Sequence, residues 1–429
     1  MDNDLLYYLW LNLNCKPDSS TFIDLISVFE SPKRIFEATD AEIEDVLSQR
    51  NTDRERILLR ELESAKKVLR FCQAKNVGIL TYSDDRFPMA LRQIEHPPVL
   101  LYYRGELPDF NQGCYVSVVG TRSMSDYGKR NAFRVAHDLA KSGVTVVSGM
   151  ALGIDAVAAA GAIHAGKATV AVLGCGINIC YPKEHLRLAR EIVKSGCILT
   201  EYPPDFAPSR YTFPQRNRII SGLSQATVVI EGDEKSGAMI TARLAKEQGR
   251  IVYALPGNVD SKGSEGPSLL IRNGAKALTC ADDIIRDLEP ENMGVLNPFV
   301  LSPSEKYPVN EVLDALSIGY IKMTRRRSYD SEAPETNICP IPIHEDPSCD
   351  IAPQQTAQAP EAPLPSTIGL DADAIRLYQK IPLNEDIAVD ELLDEHFSNA
   401  RVVMKLVLKL EMARLVKILP GERVSRNTH

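Results

Sequence analysis

The period of the hydrophobic pattern changes along the chain. From residue 5 to 69 apolar positions recur at spacings of three and four, the signature of helices packed on one side, and Ser31-Pro32 ahead of Ile35 and Phe36 marks a helix start. Residues 1–75 therefore read as a small helical domain. Short apolar runs at 77–82 and 99–103 read as strands, the second following the Pro97-Pro98 break. Beyond them, β-rich runs at 116–119, 144–147, 169–173, 197–201, 226–231 and 251–255 alternate with helix-length segments. Such alternation predicts right-handed crossovers and a sheet covered on both faces. Gly143, Gly166, Gly196, Gly249 and Gly274 each stand after a helix and before a strand, where a helix stop belongs. The fold class predicted for residues 76–288 is α/β, a Rossmann-like, doubly wound and mainly parallel sheet.

Periodicity then fades. Residues 328–368 are rich in Pro, Ala, Gln and acid and cannot offset the entropy of ordering, so 289–368 reads as an acidic, Pro-rich linker. It returns as three helical segments, 374–381, 389–396 and 399–414, followed by two short strands around Pro420-Gly421. Three helices and a hairpin predict a C-terminal winged helix over 369–429. Arg401, Lys405 and Lys409 form a basic stripe on its third helix, suited to a major groove or to a solvated face, while Asp390, Glu391, Asp394 and Glu395 make the second helix acidic.

Composition changes this picture little. With 44% hydrophobic and 25% charged residues the chain has ordinary globular composition, and 429 residues suffice for two or three domains. Asp2 and Asp4 replace a basic leader, and no stretch has bilayer length, so no membrane association and a cytoplasmic location are expected. Nine cysteines without a Cys-x-x-Cys pair suggest buried thiols; no metal and no cofactor are expected. Charge is more informative. A net charge of -8 argues against phosphate binding, yet residues 116–287 carry 21 Lys/Arg against 16 Asp/Glu, and 289–368 carry 5 against 12. An acidic linker hides a basic middle.

Parallel sheets bind ligands beyond the carboxyl ends of their strands, which directs attention to the loops there. Gly120-Thr121-Arg122-Ser123 opens a helix, with amides that attract an anion and a guanidinium that forks onto phosphate. Ser148-Gly149 begins a second small-residue turn, and Gly174-Cys175-Gly176 leads to Tyr181-Pro182-Lys183. Phe206, Tyr211 and Phe213, interleaved with Arg210, Arg216, Asn217 and Arg218, suit single strands, whose bases stack on rings while phosphates meet cations. Ser236-Gly237 stands in another loop. Other motifs fail. Gly161 to Lys167 has Walker spacing but Ala168 where a hydroxyl is needed, and it runs from helix into strand; no Gly-x-Gly-x-x-Gly comes after the first strand, and no catalytic residue set is apparent.

In their order these segments resemble the bacterial DNA-processing protein A (DprA/Smf) family. The resemblance runs from Arg86-Phe87-Pro88 and Pro97-Pro98-Val99-Leu100 through Gly120-Thr121-Arg122, Ser148-Gly149 with Gly153-Ile154-Asp155, Ala171-Val172-Leu173-Gly174-x-Gly176 and Tyr181-Pro182. It continues in Arg216-Asn217-Arg218-Ile219-Ile220-Ser221-Gly222-Leu223-Ser224, Ser236-Gly237 with Ile240-Thr241-Ala242, and Pro256-Gly257. It implies an extended Rossmann fold, single-stranded DNA binding without turnover, a homodimer formed through this domain, and loading of RecA recombinase onto DNA in natural transformation. A sterile-alpha-motif-like N-terminal domain and a winged helix would flank the sheet. Carried over by position, Arg122 and Lys183 would hold the DNA backbone. The chain departs from the family pattern at Ala159-Ala160, where His-Arg is common, at Asn178 for Asp and at His185 for Asn. The alternatives are a nucleotide-binding or nucleotide-hydrolysing Rossmann-like enzyme, against which Asn258 follows Pro256-Gly257 where a further glycine is expected, and a winged-helix regulator of duplex DNA.

Overall fold

The computed structural model describes residues 3–296 and 307–318 and, beyond them, Leu377, Ile381, 387–388, Val407, Leu410, 416–419 and 423–426. It forms two compact units, Met1–Glu345 and Asp346–His429. No helix among the described residues is long and apolar enough to cross a membrane.

The first unit opens with six helices, α1 (Asn3–Asn14), α2 (Thr21–Phe29), α3 (Pro32–Glu37), α4 (Asp40–Val46), α5 (Arg54–Leu58) and α6 (Glu63–Ala74). Ser31 caps α3 by accepting the Arg34 N–H, with Pro32 at the first helical position, as the sequence suggests. Thr39 and Glu42 cap α4 reciprocally. Trp10, Leu25, Ile35 and Ile43 are fully buried, and their cluster runs on into Leu100, Tyr102 and Ile198 of the central sheet. The helices and the sheet thus share one core.

That sheet has nine strands: β1 (Gly78–Thr81), β2 (Leu100–Gly105), β3 (Cys114–Val119), β4 (Val144–Ser148), β5 (Thr169–Val172), β6 (Cys197–Thr200), β7 (Ala226–Val229), β8 (Ile251–Ala254) and β9 (Lys276–Ala277). Their order is β1-β2-β6-β5-β4-β3-β7-β8-β9. β1 and β2 pair antiparallel with each other, as β2 does with β6, and all pairs from β6 to β9 are parallel. Direction of travel reverses between β3 and β7, the switch point of a doubly wound sheet.

The connecting helices are α7 (Met89–Arg92), α8 (Asp126–Lys141), α9 (Ile154–His164), α10 (Leu186–Ser195), α11 (Thr212–Gly222), α12 (Gly237–Glu247), α13 (Glu265–Arg272) and α14 (Ala281–Leu288). Alternate strand residues face opposite layers. Val116, Val118, Val146 and Ile198 join the core under α8, α9 and α10, whereas Val119, Val147, Val170 and Leu199 join the one under α7, α11 and α12. At Gly143, which ends α8 with φ 95°, a Cβ would lie 2.6 Å from the Val295 carbonyl, so both conformation and space require glycine.

The stretch read as linker is folded in its first part. A helix α15 (Val309–Ala315) packs on α9, with Val309, Leu313, Leu316 and Ile318 in the core. The Tyr307 hydroxyl donates to Asp138 at 2.7 Å, and the Lys129 ammonium to Asn310 at 2.9 Å. Val309, Val312, Leu313 and Leu316 have helical spacing that the acidic composition around them obscures. The remainder of 319–368 lies outside the described residues.

In the second unit β10 (Ile387–Ala388), β11 (Val416–Leu419) and β12 (Arg423–Arg426) form a three-stranded antiparallel sheet in the order β10-β12-β11. Leu419 pairs with Arg423, and Pro420-Gly421, read as the turn between these strands, lie outside the described residues. Leu377, Ile381, Val407, Leu410 and Val416 are buried. Most of the three helical segments, including the Arg401, Lys405 and Lys409 stripe, falls outside the described residues.

Candidate nucleic-acid interface

The carboxyl ends of β3 to β8 form one rim, and the loops singled out in the sequence all leave from it. Arg122, in the loop after β3, is exposed, and its guanidinium carbon lies 5.3 Å from the ring centroid of Phe213. That distance is within cation–π range. The Phe213 ring, at the start of α11, lies 5.3 Å from the ring of Tyr181, which belongs to the loop after β5. Three loops therefore meet in one stack of arginine and two aromatics. Lys183 comes two residues after Tyr181 and is exposed in the short turn Lys183–His185. Neither Arg122 nor Lys183 has an ion-pair partner among the described residues.

The loop after β6 extends the rim. Phe206, 44% exposed, stacks on Tyr202 with centroids 5.0 Å apart, and its carbonyl accepts the Gly176 N–H at 2.8 Å. Tyr211, 65% exposed, lies under the guanidinium of Arg210, which also donates to its hydroxyl at 2.9 Å. Exposed rings of this size are costly to leave in water and have the flat faces that bases stack on. Arg210 thus belongs with the exposed set and Tyr181, half-buried, borders it, although the sequence alone assigned neither a contact; the alternation of Arg210 with Tyr211 was the available signal.

Other expected contacts are inside. Arg216 is fully enclosed: it donates to the Gly149 carbonyl at 2.8 Å and to the Val172 carbonyl, beside Asp155. Burial pushes the Asp155 carboxyl up, opposed by the Arg216 charge and the Gly149 N–H, which donates to Asp155 at 3.1 Å. A Cβ at Gly149 would come within 2.3 Å of the Arg216 guanidinium, which explains the glycine. Arg218 forks onto Glu201 at 2.6 and 2.7 Å and donates to the carbonyls of His96 and Pro17, joining the sheet to the N-terminal helices. Asn217 is buried and donates to the Gly237 carbonyl at 3.4 Å. Ser148 is buried as well, its hydroxyl on the Val118 carbonyl at 2.7 Å. These four side chains are buried beneath the rim, braced by the hydrogen bonds above.

The remaining positions divide. Thr121 and Ser123 shape the Arg122 loop: the Thr121 hydroxyl accepts the Ser123 N–H, and the Thr121 carbonyl accepts the Ile154 N–H. Gly120 lies against Ile154, with no room for a Cβ. Ser236 and Gly237 stand at the start of α12, in a loop separate from the three that build the Arg122–Phe213–Tyr181 stack. His185, where the family usually has Asn, is buried with its Nδ1 on the Met150 carbonyl at 2.9 Å, and burial pushes its pKa down.

At the switch point itself lies a cavity of about 470 Å³, lined by Ser125, Tyr127, Glu231 and the 256–264 loop. The α8 N-terminus beside it is the usual place for a nucleotide phosphate. Here the buried Glu231 carboxylate occupies that place, accepting the Ser125 N–H at 2.9 Å and the Ser125 hydroxyl, which in turn caps α8 at Gly128. The Glu231 oxygens thus take the donors that a phosphate there would need.

The family model for DNA recombination-mediator protein A matches residues 78–289. DNA processing protein DprA of Bacillus subtilis (strain 168) is 38% identical over 233 residues, which are 54% of this chain and 78% of that protein. Protein Smf of Synechocystis is 42% identical over 219 residues, 50% of this chain and 55% of the relative. The X-ray structure of DNA processing protein A from Streptococcus pneumoniae superposes with a TM-score of 0.59 at 31% identity, covering 66% of this chain and 97% of that one. The match thus spans little more than half the length of the Synechocystis relative. With 38% identity across 78% of the Bacillus protein, the chain belongs to the DNA-processing protein A (DprA/Smf) family.

Proposed function

We propose that the chain binds single-stranded DNA along the strand-end rim, without chemical turnover, and hands it to RecA recombinase during natural transformation and DNA recombination. Arg122 and Lys183 hold phosphates, and Phe206, Tyr211 and Phe213 offer faces to bases. The observation that carries this reading is the meeting of Arg122, Phe213 and Tyr181, from three separate loops, in one partly exposed stack close in sequence to the exposed Lys183. Arginine and flat rings at one place suit a flexible strand whose bases are free to stack; paired bases offer no such faces.

A homodimer formed through the sheet domain accompanies this reading. The supporting surface is a groove of about 570 Å³ where Met239, Ile240, Ile251, Val252 and Leu270 border the two-residue edge strand β9, and we assign it to a second copy of the chain. Two rims on one assembly would multiply the hold on a long strand. The nucleotide-enzyme alternative is disfavoured by Glu231, whose carboxylate occupies the switch-point anion site.

A gel-shift series with single-stranded and duplex oligonucleotides, using the full chain and one ending at residue 368, tests the function. Preference for the single strand in both forms is expected; loss of all binding on removal of 369–429 would transfer the activity to the tail.

A further inference from the structure

A row of cations leads away from the rim. The turn holding Lys183 runs straight into α10, and Lys183, Arg187, Arg190 and Lys194 fall at i, i+4, i+7 and i+11, one side of a helix. The other side, with Leu188, Ala189 and Ile192, is buried on the sheet. All four cations are exposed. Lys194 is engaged by Glu191 at 3.2 Å, but Arg187 and Arg190 have no ion-pair partner among the described residues. Residues 183–195 carry four Lys/Arg against two Asp/Glu in a chain whose net charge is -8. At 1.5 Å per residue the row extends about 16 Å from Lys183.

Resting on the single-strand reading above, we propose that α10 continues the track: the sugar-phosphate backbone leaving the rim at Lys183 runs along the outer face of this helix, with Arg187 and Arg190 each holding a phosphate. No ring is placed along that face, so the contact is to phosphate alone and independent of base sequence. The helix gives the cations fixed spacing, while the rim keeps the stacking.

Counterion release makes this measurable. Each phosphate contact on a single strand contributes about 0.7 to the slope of log affinity against log salt, so losing two lowers the slope by about 1.4 and the affinity at 0.1 M salt by about 25-fold. The full-length chain, its Arg187→Gln Arg190→Gln variant and its Arg187→Lys Arg190→Lys variant are titrated with oligo-dT of about 5 and about 20 nucleotides. Expected are wild-type affinity of all three for the short strand, a reduced slope and affinity of the Gln variant for the long strand, and restoration by Lys. A Gln variant that binds the long strand with unchanged slope overturns the track and leaves the rim reading standing, as α10 would then be only a solvated face. Equal loss on both lengths also overturns it, because the substitution then acts through the rim or the fold. If the wild-type chain binds neither length, the rim reading fails first and the track with it.

Discussion

Arg216 is the side chain on which the rim geometry turns, although it is almost wholly buried. Its guanidinium holds the Gly149 carbonyl just after β4 and the Val172 carbonyl at the end of β5, and sits beside the buried Asp155. Arg216→Ala would leave that carboxylate without its cation, a class of change that costs about 3–5 kcal/mol, and urea denaturation should show a loss of that order. A loss below about 1 kcal/mol would mean that the rim does not depend on it. His185 adds a pH dependence. Burial lowers its pKa below 6.5, so between the two values the unfolded chain binds a proton that the folded chain refuses. Its contribution is complete above pH 6.5 and declines as pH falls below that. The His185→Asn variant should therefore lose less stability than wild type between pH 7.5 and pH 5.5, measured as the urea midpoint at each pH; identical losses would contradict the sign.

Among the elements, α15 is the one that composition conceals. Leu313 is buried against α9, and Leu313→Ala should lower stability by about 2–5 kcal/mol, read from urea unfolding. No change would return residues 307–318 to the linker. The strands were far more legible, since apolar runs of four to six residues between glycine stops have few other uses, and the bounds read for β3 to β8 differ by only a residue or two from those found. Side-chain direction was less so. Arg216-Asn217-Arg218 has the composition of an exposed basic helix face, yet α11 is buried from Arg216 to Gly222, and partners such as Asp155, Glu201 and the Pro17 carbonyl explain why. Those partners are 17 to 201 residues away in sequence, beyond any local pattern. The exposure of Arg122 was easier to foresee, because it sits just after a strand in a loop of small residues, whereas Lys183, eleven residues beyond β5, was marked only by the family resemblance.

For the whole molecule, the charge is unevenly spread, with a basic middle and an acidic segment after it. A net charge of -8 coexists with a rim where Arg122, Lys183 and Arg210 are all exposed, so binding is expected to be local, strongly salt-dependent and strengthened by pairing two rims. Placing a charge in the apolar groove, as in Leu270→Glu, should convert the proposed dimer to a monomer in sedimentation and weaken long oligonucleotides more than short ones. Equal weakening of both would remove the case for two rims acting together.

The most direct measurement is the affinity for a short oligo-dT across a salt series, comparing wild type with the Arg122→Ala Lys183→Ala variant. Affinity should fall with salt in the wild type, and loss of the two phosphate contacts should reduce the slope of log affinity against log salt by about 1.4. A variant that binds as tightly as wild type and with the same slope would show that the strand lies elsewhere.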